Sequence, residues 1–152
     1  MKQVVVIGSD HAGFLMKQII TEKLRKSNFE VEDIGTDSEK SVDFAPIAKS
    51  VAENVANNLD KKGILICGTG IGMSIMANKV AGIRASLVHD LFSAHATREH
   101  NNSNILCMGA RIIAVSMACE IVDTWLAAPF LKGKYEKRLD YITDYEKEHT
   151  KK

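Results

Sequence analysis

Short apolar runs alternate along this chain with longer stretches of helical periodicity, and this alternation limits the folds open to it. The first run, VVVIG (4–8), is rich in β-branched residues and stops at a glycine, as a strand buried on both faces does. The next segment places Leu15, Ile19 and Leu24 at helical spacing above a lysine-rich face. A strand followed by a helix that returns across the sheet is the building unit of a parallel sheet.

The same pattern recurs to the end of the chain. Further strands are predicted at 30–35, 63–68, 83–88 and 104–109, and helices at 47–59 (opened by Pro46), near 72–79, near 91–99, at 112–128 and at 135–150. The helix at 112–128 is apolar enough to be mostly buried, whereas the last helix is strongly charged. We therefore expect one α/β domain over residues 1–152. It is a doubly wound, Rossmann-like, five-stranded parallel sheet with helices on both faces and an extra C-terminal helix.

Composition narrows the classes of partner. The chain has 20 Lys plus Arg against 19 Asp plus Glu, so its net charge favours neither nucleic acid nor a membrane surface, and any anion site must be local. There is no apolar run of the roughly 20 residues that span a bilayer, and the N-terminus lacks a signal peptide's apolar core. Three cysteines without a CxxC pair suit a reducing compartment and argue against structural zinc. A cytoplasmic protein is expected.

Most titratable candidates in the first two thirds of the chain are expected at one edge of the sheet. In open parallel sheets the ligand site lies beyond the carboxyl ends of the strands. Ser9-Asp10-His11, Cys67 to Gly70, His89-Asp90 and Met108 to Arg111 follow predicted strands, and Arg98 to Asn102, just before the last strand, is placed with them. Polar neighbours make His11 and His100 candidates for proton handling, while we make no assignment for His89 or His95. Candidates for gripping an anion are Arg98, Arg111, Lys134 and Arg138.

The glycine-rich stretch ICGTGIG (66–72) has three possible interpretations. A dinucleotide fingerprint needs GxGxxG after the first strand, and a phosphate loop needs GxxxxGK[ST]; the chain has neither at this place. What remains is a tight strand-to-helix turn whose backbone amides could stabilise an oxyanion. Cys67, directly before it, is then a candidate base or nucleophile, although a cysteine that closes an apolar strand is more often a small buried hydrophobe. Cys107 and Cys119 are expected in the core.

Several motifs together resemble a known family. They are GSDHAG (8–13), DIGT (33–36), GILICGTGIGMSIMANK (63–79), GIRA (82–85) and REHNNSNIL (98–106). In this order, and over nearly the whole chain, they resemble ribose-5-phosphate isomerase type B, whose family also holds allose-6-phosphate and galactose-6-phosphate isomerases. The resemblance implies interconversion of aldose and ketose phosphates through an enediolate, without a metal or organic cofactor.

The resemblance also implies roles for individual residues. Cys67 removes the carbon-bound proton and Thr69 assists at the hydroxyl, while His100, helped by Asp10, opens the sugar ring. The enediolate oxygen is held by turn amides, those of Gly68, Gly70, Ile71 and Gly72. Phosphate binding is implied for His11, Arg111 and Arg138, with Asn101 and Lys134 added as substrate-binding residues. Family members form at least dimers, so we expect a homodimer or homotetramer with sites at the subunit interface.

Two departures from the family pattern concern the substrate. Many members read Gly-Gly-Arg-His where this chain has Lys132-Gly133-Lys134-Tyr135, and a lysine cannot make the planar two-pronged grip of an arginine. Phe44 stands where a tyrosine is common, so a hydroxyl is missing. The leading hypothesis is a ribose 5-phosphate isomerase. A hexose 6-phosphate isomerase and a non-catalytic sugar-phosphate binding module remain as alternatives.

Overall fold

The computed structural model describes residues 1–150, which form five strands and six helices. The strands are β1 (Val4–Ser9), β2 (Glu30–Gly35), β3 (Lys62–Cys67), β4 (Ala85–Leu87) and β5 (Ile105–Gly109). The helices are α1 (Phe14–Lys26), α2 (Phe44–Asn57), α3 (Ile71–Ala77), α4 (Leu91–Asn101), α5 (Val115–Ala127) and α6 (Lys134–His149).

All five strands are parallel and lie in the order β2-β1-β3-β5-β4. Strands and helices alternate up to α5, and α6 is added at the end of the chain. The predicted doubly wound α/β sheet with an extra C-terminal helix is therefore confirmed. The edge strand β4 is shorter than predicted. There Asn78 accepts the Ala85 N–H at 2.8 Å and donates to the Ala85 carbonyl at 2.9 Å, so a side chain takes the place of a further strand.

The two faces of the sheet form two apolar layers. Alternating strand residues such as Val5 and Ile7 pack under α1, α4 and α5, and the residues between them, such as Val6, pack under α2 and α3. Trp125 on α5 is fully buried and donates its indole N–H to Ser103 at 2.8 Å. Its ring therefore belongs to the core of its own chain, as the apolar character of this helix predicts.

Two helix starts differ from the prediction. α2 begins at Phe44, before Pro46, because the Asp43 carboxylate accepts the Ala45 N–H at 3.1 Å and caps the helix. Pro46 then lies within the first turn, where a backbone N–H is not required. α5 begins at Val115 instead of 112, since the N–H groups just after β5 turn back onto the carbonyl of Gly109.

The charged helix α6 lies against α4. Leu139 is its buried residue, while most of its other side chains are exposed. Glu146 on α6 accepts the Gly82 N–H at 2.9 Å and so fixes the far end of the helix to the loop before β4. No helix within residues 1–150 is long and apolar enough to cross a membrane.

Candidate active site

The candidate site lies where the chain reverses direction in the sheet. α1 leads from β1 to β2 over one face and α2 leads back to β3 over the other, which leaves a crevice between the carboxyl ends of β1 and β3. Asp10, which follows β1, donates its N–H to the Ile66 carbonyl on β3 at 3.2 Å, and its side chain is mostly buried. Cys67, the last residue of β3, therefore lies beside Asp10.

The sulfur of Cys67 is enclosed by the turn that follows it. Cys67 is 6% exposed, and its Sγ accepts the Gly70 N–H at 3.1 Å. Gly70 has φ = 76°, and a Cβ there would lie 2.8 Å from the backbone carbonyl carbon of Met108, so the position requires glycine on both grounds. The tight turn predicted from the sequence thus directs a backbone donor at the thiol sulfur.

Two turn amides have partners within the turn itself. Gly70 donates to Cys67, and Ile71 donates to Thr69 Oγ1 at 3.3 Å. These two amides fix the sulfur and the threonine hydroxyl.

The loop after β1 orients two predicted residues. Oδ1 of Asp10 accepts the N–H groups of Ala12 at 3.0 Å and Gly13 at 3.2 Å, which closes the loop on itself. Nδ1 of His11 accepts the Val42 N–H at 3.2 Å, so in the neutral ring the proton lies on Nε2. His11 can therefore donate to an anion through Nε2.

Arg111 and Phe44 approach the same turn. The Arg111 N–H donates to the Gly68 carbonyl at 3.0 Å, and its guanidinium Nη1 lies 3.3 Å from where a Cβ of Gly68 would be. The Phe44 ring covers Gly72, with Cζ 2.7 Å from the corresponding position. Glycines at 68 and 72 thus let a cation and an aromatic ring lie directly against the turn backbone.

His89 is a residue of this edge to which the sequence assigned no role. It follows the end of β4, and its Nε2 accepts the Gly109 N–H at 2.9 Å. Burial lowers the pKa of His89, against the opposing effect of Asp90, and favours the neutral ring that such an acceptor requires. Asp90, instead of the histidine, caps α4 through Ser93 N at 2.7 Å. The position of His89 directly after a predicted strand is the sequence feature that places it at this edge.

A second group of predicted residues gathers around Tyr135. The rings of His100 and Tyr135 stack with centroids 4.4 Å apart at 14°. The Lys134 ammonium lies 5.1 Å and the Arg138 guanidinium 5.7 Å from the centre of the Tyr135 ring. Tyr135, which occupies the histidine position of the family pattern, thus brings two cations and an imidazole together.

The expectation that Arg98 to Asn102 share the edge with Cys67 is wrong. α4 runs from the carboxyl end of β4 back to the amino end of β5, so its last residues, His100 and Asn101, lie at the opposite edge. The two edges are separated by the length of β5, whose 5 residues span about 16 Å. One copy of the chain does not bring Cys67 and His100 together.

Other candidates have local roles. Arg98 donates to the Ser103 carbonyl at 2.6 Å and to Asn102 Oδ1 at 3.0 Å, so its guanidinium holds the end of α4 instead of standing ready for an anion. Arg84 donates to the carbonyl of Asn101 at 2.9 Å. Cys107 is fully buried, and burial raises the pKa of its thiol, as expected for a core residue. Cys119 is only partly buried.

The ribose/galactose isomerase family profile matches residues 5–142. Ribose-5-phosphate isomerase B of Escherichia coli is 42% identical over 142 residues, covering 93% of this chain and 95% of that protein. A Bacillus subtilis protein described only as a sugar phosphate isomerase is 49% identical over 146 residues, covering 95% and 98%. D-erythrulose-4-phosphate isomerase of Pectobacterium atrosepticum is 38% identical over 143 residues, covering 93% and 94%.

Solved structures agree with the sequence relatives. Ribose-5-phosphate isomerase B of Mycoplasma genitalium, with bound ribulose-5-phosphate, superposes with a TM-score of 0.93 at 41% identity, covering 95% of this chain and 97% of that one. With a matching profile over most of its length and relatives above 40% identity, the chain belongs to the ribose/galactose isomerase family and is a sugar-phosphate isomerase. The resemblance noted from the motifs is confirmed.

Proposed function

We propose that the chain interconverts ribose 5-phosphate and ribulose 5-phosphate and serves the pentose phosphate pathway. The observation that carries this proposal is the Cys67 sulfur at the crevice between β1 and β3, which accepts a backbone N–H at 3.1 Å beside Asp10. A relative of the same fold holds ribulose 5-phosphate, which supports the choice of a pentose.

The reaction requires a base and a place for negative charge. The proton on C2 of the aldose is a weak acid, so a base must lie within hydrogen-bond reach and donors must face the oxygen that becomes negative. Cys67, as the thiolate, takes the C2 proton, and the electron pair moves to the carbonyl to give the enediolate. Thr69 passes a proton between the two oxygens, and Cys67 returns its proton to C1. The exchange needs no external oxidant or reductant.

The turn supplies the electrostatic part of this chemistry. A backbone N–H on the sulfur stabilises negative charge there, which is the role we assign to Gly70. The enediolate oxygen is assigned to the amides of Gly68 and Gly72, with Ile71 holding the Thr69 hydroxyl. His11 through Nε2–H and Arg111 through its guanidinium hold the phosphate from the same copy.

The remaining groups come from a second copy of the chain in this proposal. His100, Asn101, Lys134 and Arg138 lie at the opposite edge of their own sheet, so they reach a Cys67 turn only in another subunit. Exposed apolar side chains flank the turn, namely Ile71, Ile75 and Ile112, and a second copy would cover them. We therefore propose a homodimer, or a homotetramer built from such dimers, with shared sites.

In the shared site the second copy opens the ring. Its His100 donates a proton to the ring oxygen as the bond from that oxygen to C1 breaks, and Asp10 of the first copy takes the proton of the C1 hydroxyl, which leaves the C1 aldehyde. The Tyr135 stack fixes the plane of the imidazole. The cations around that ring, Lys134 and Arg138, complete the grip on the phosphate.

A second candidate is the same reaction on a sugar phosphate with a carbon chain of different length, such as a hexose 6-phosphate. Lys134 and Tyr135 replace an arginine and a histidine of the family pattern, and the ring that covers Gly72 carries no hydroxyl at Phe44. A relative acts on erythrulose 4-phosphate, so the family fold accepts more than one sugar length.

The experiment is an isomerase assay on purified protein in EDTA. Ribose 5-phosphate, allose 6-phosphate and erythrulose 4-phosphate are compared by kcat/KM. We expect the highest value for ribose 5-phosphate. A higher value for either of the others would overturn the pentose assignment and make Lys134 and Phe44 the residues to exchange.

A further inference from the structure

The end of β5 has an unusual hydrogen-bond partner. β4 and β5 pair up to Leu87 and Cys107, and the next bond runs from Val88 N to the Cys107 carbonyl at 3.0 Å. In a continuing parallel ladder, the following outward N–H of β5, that of Gly109, would meet a backbone carbonyl of β4. It meets the imidazole Nε2 of His89 at 2.9 Å instead.

Gly109 is also the point at which β5 contacts the turn that follows Cys67 (residues 68–70). A Cβ on Gly109 would lie 2.7 Å from the carbonyl carbon of Thr69 and 2.8 Å from its Cα, so the two backbones are in direct contact. The next two N–H groups, of Ala110 and Arg111, donate to the carbonyls of Cys67 at 2.9 Å and Gly68 at 3.0 Å. The segment from Gly109 to Arg111 therefore packs against the backbone of this turn and bonds to it, and it also positions the Arg111 side chain.

We propose that His89 is a positioning residue for the isomerisation. By accepting the Gly109 N–H through Nε2, it holds the end of β5 against Thr69 and so keeps the turn amides and Arg111 where the substrate needs them. This inference rests on the proposed function for the identity of those groups. His89 itself contacts Gly109 and is assigned no contact with the reacting atoms.

Two substitutions distinguish the effect of the hydrogen-bond acceptor from the effect of side-chain volume. His89→Gln places an amide oxygen near the position of Nε2, whereas His89→Leu fills similar volume without an acceptor. In His89→Leu the Gly109 N–H has no side-chain acceptor, and we expect kcat/KM to fall by about ten-fold. We expect a raised inhibition constant for inorganic phosphate in the same variant, because Arg111 is less well held. His89→Gln stays within about three-fold of the wild type. His95→Leu, which alters an exposed histidine on α4, is the matched control and leaves both constants unchanged.

Nuclear magnetic resonance provides a readout that does not depend on activity. In the wild type we expect a nitrogen–nitrogen scalar coupling between the Gly109 amide and His89 Nε2, with the ring proton on Nδ1. Absence of this coupling, or kcat/KM of His89→Gln as low as that of His89→Leu, would overturn the inference.

If the wild type does not isomerise ribose 5-phosphate, the proposed substrate fails, while the coupling and phosphate binding by calorimetry still decide the role of His89. If His89→Leu does not fold, the coupling and His89→Gln still decide it.

Discussion

At the scale of single residues, the proposed chemistry depends most on Cys67. Its sulfur is nearly buried, faces a backbone donor and lies beside Asp10 at the reversal point of the sheet. A cysteine that served only as core would have no need of a donor directed at its sulfur. The expected consequence is a sharp separation between catalysis and binding when the thiol is removed.

Cys67→Ala should lower kcat for ribose 5-phosphate by about a thousand-fold, because the base that removes the carbon-bound proton is lost. The dissociation constant for inorganic phosphate, measured by calorimetry, should stay within about two-fold, since His11 and Arg111 remain. Cys119→Ser alters a partly buried thiol on α5 and should leave kcat unchanged. Equal loss of turnover and phosphate binding in Cys67→Ala would point to a structural role for Cys67.

Lys134 offers a prediction about the phosphate grip. Lys134→Arg supplies a planar guanidinium where many family members carry one, and we expect KM for ribose 5-phosphate to fall by about three-fold with kcat unchanged. Lys132→Arg, the same exchange two residues earlier on an exposed side chain, is the matched control. Steady-state kinetics at fixed ionic strength would show it. A rise in KM would mean that Lys134 does not face the phosphate.

At the scale of elements, the sequence predicts the sheet well because most strands are short apolar runs between turn residues. Its errors have local physical causes. The side chain of Asn78 occupies the outer backbone groups of Ala85, where β4 begins, and the Asp43 cap starts α2 ahead of Pro46. Motif spacing shows which residues follow a strand, but it does not reveal a bond such as that from Gly109 to His89, which depends on where β4 stops.

The Asp43 cap can be tested by its effect on stability. Asp43→Ala leaves the Ala45 N–H without its side-chain partner, and the free energy of unfolding should fall by about 1 kcal/mol. The same change should disturb Phe44, whose ring covers Gly72. Urea unfolding at equal protein concentration gives the value. Asp37→Ala, an exposed acid in the preceding loop, should change it by less than about 0.5 kcal/mol. Equal effects of the two substitutions would contradict the capping role.

At the scale of the whole molecule, the structure divides the predicted site into two halves. Cys67, Asp10, His11 and Arg111 gather at the carboxyl edge of the sheet, and His100 with Tyr135, Lys134 and Arg138 gathers near the other edge. Chain direction alone could have predicted this separation, because a segment that precedes a strand lies at its amino end. The composition gives no indication of a second copy, and the expectation of one comes from the family resemblance alone.

The most direct test of a shared site is complementation between two inactive variants. Cys67→Ala and His100→Ala are co-expressed with different affinity tags, and the mixed dimer is purified through both tags. We expect each variant alone to be nearly inactive on ribose 5-phosphate. The mixed dimer should recover about half of the wild-type kcat per dimer, since one of its two sites combines an intact Cys67 with an intact His100. A mixed dimer as inactive as its parents would contradict the shared site.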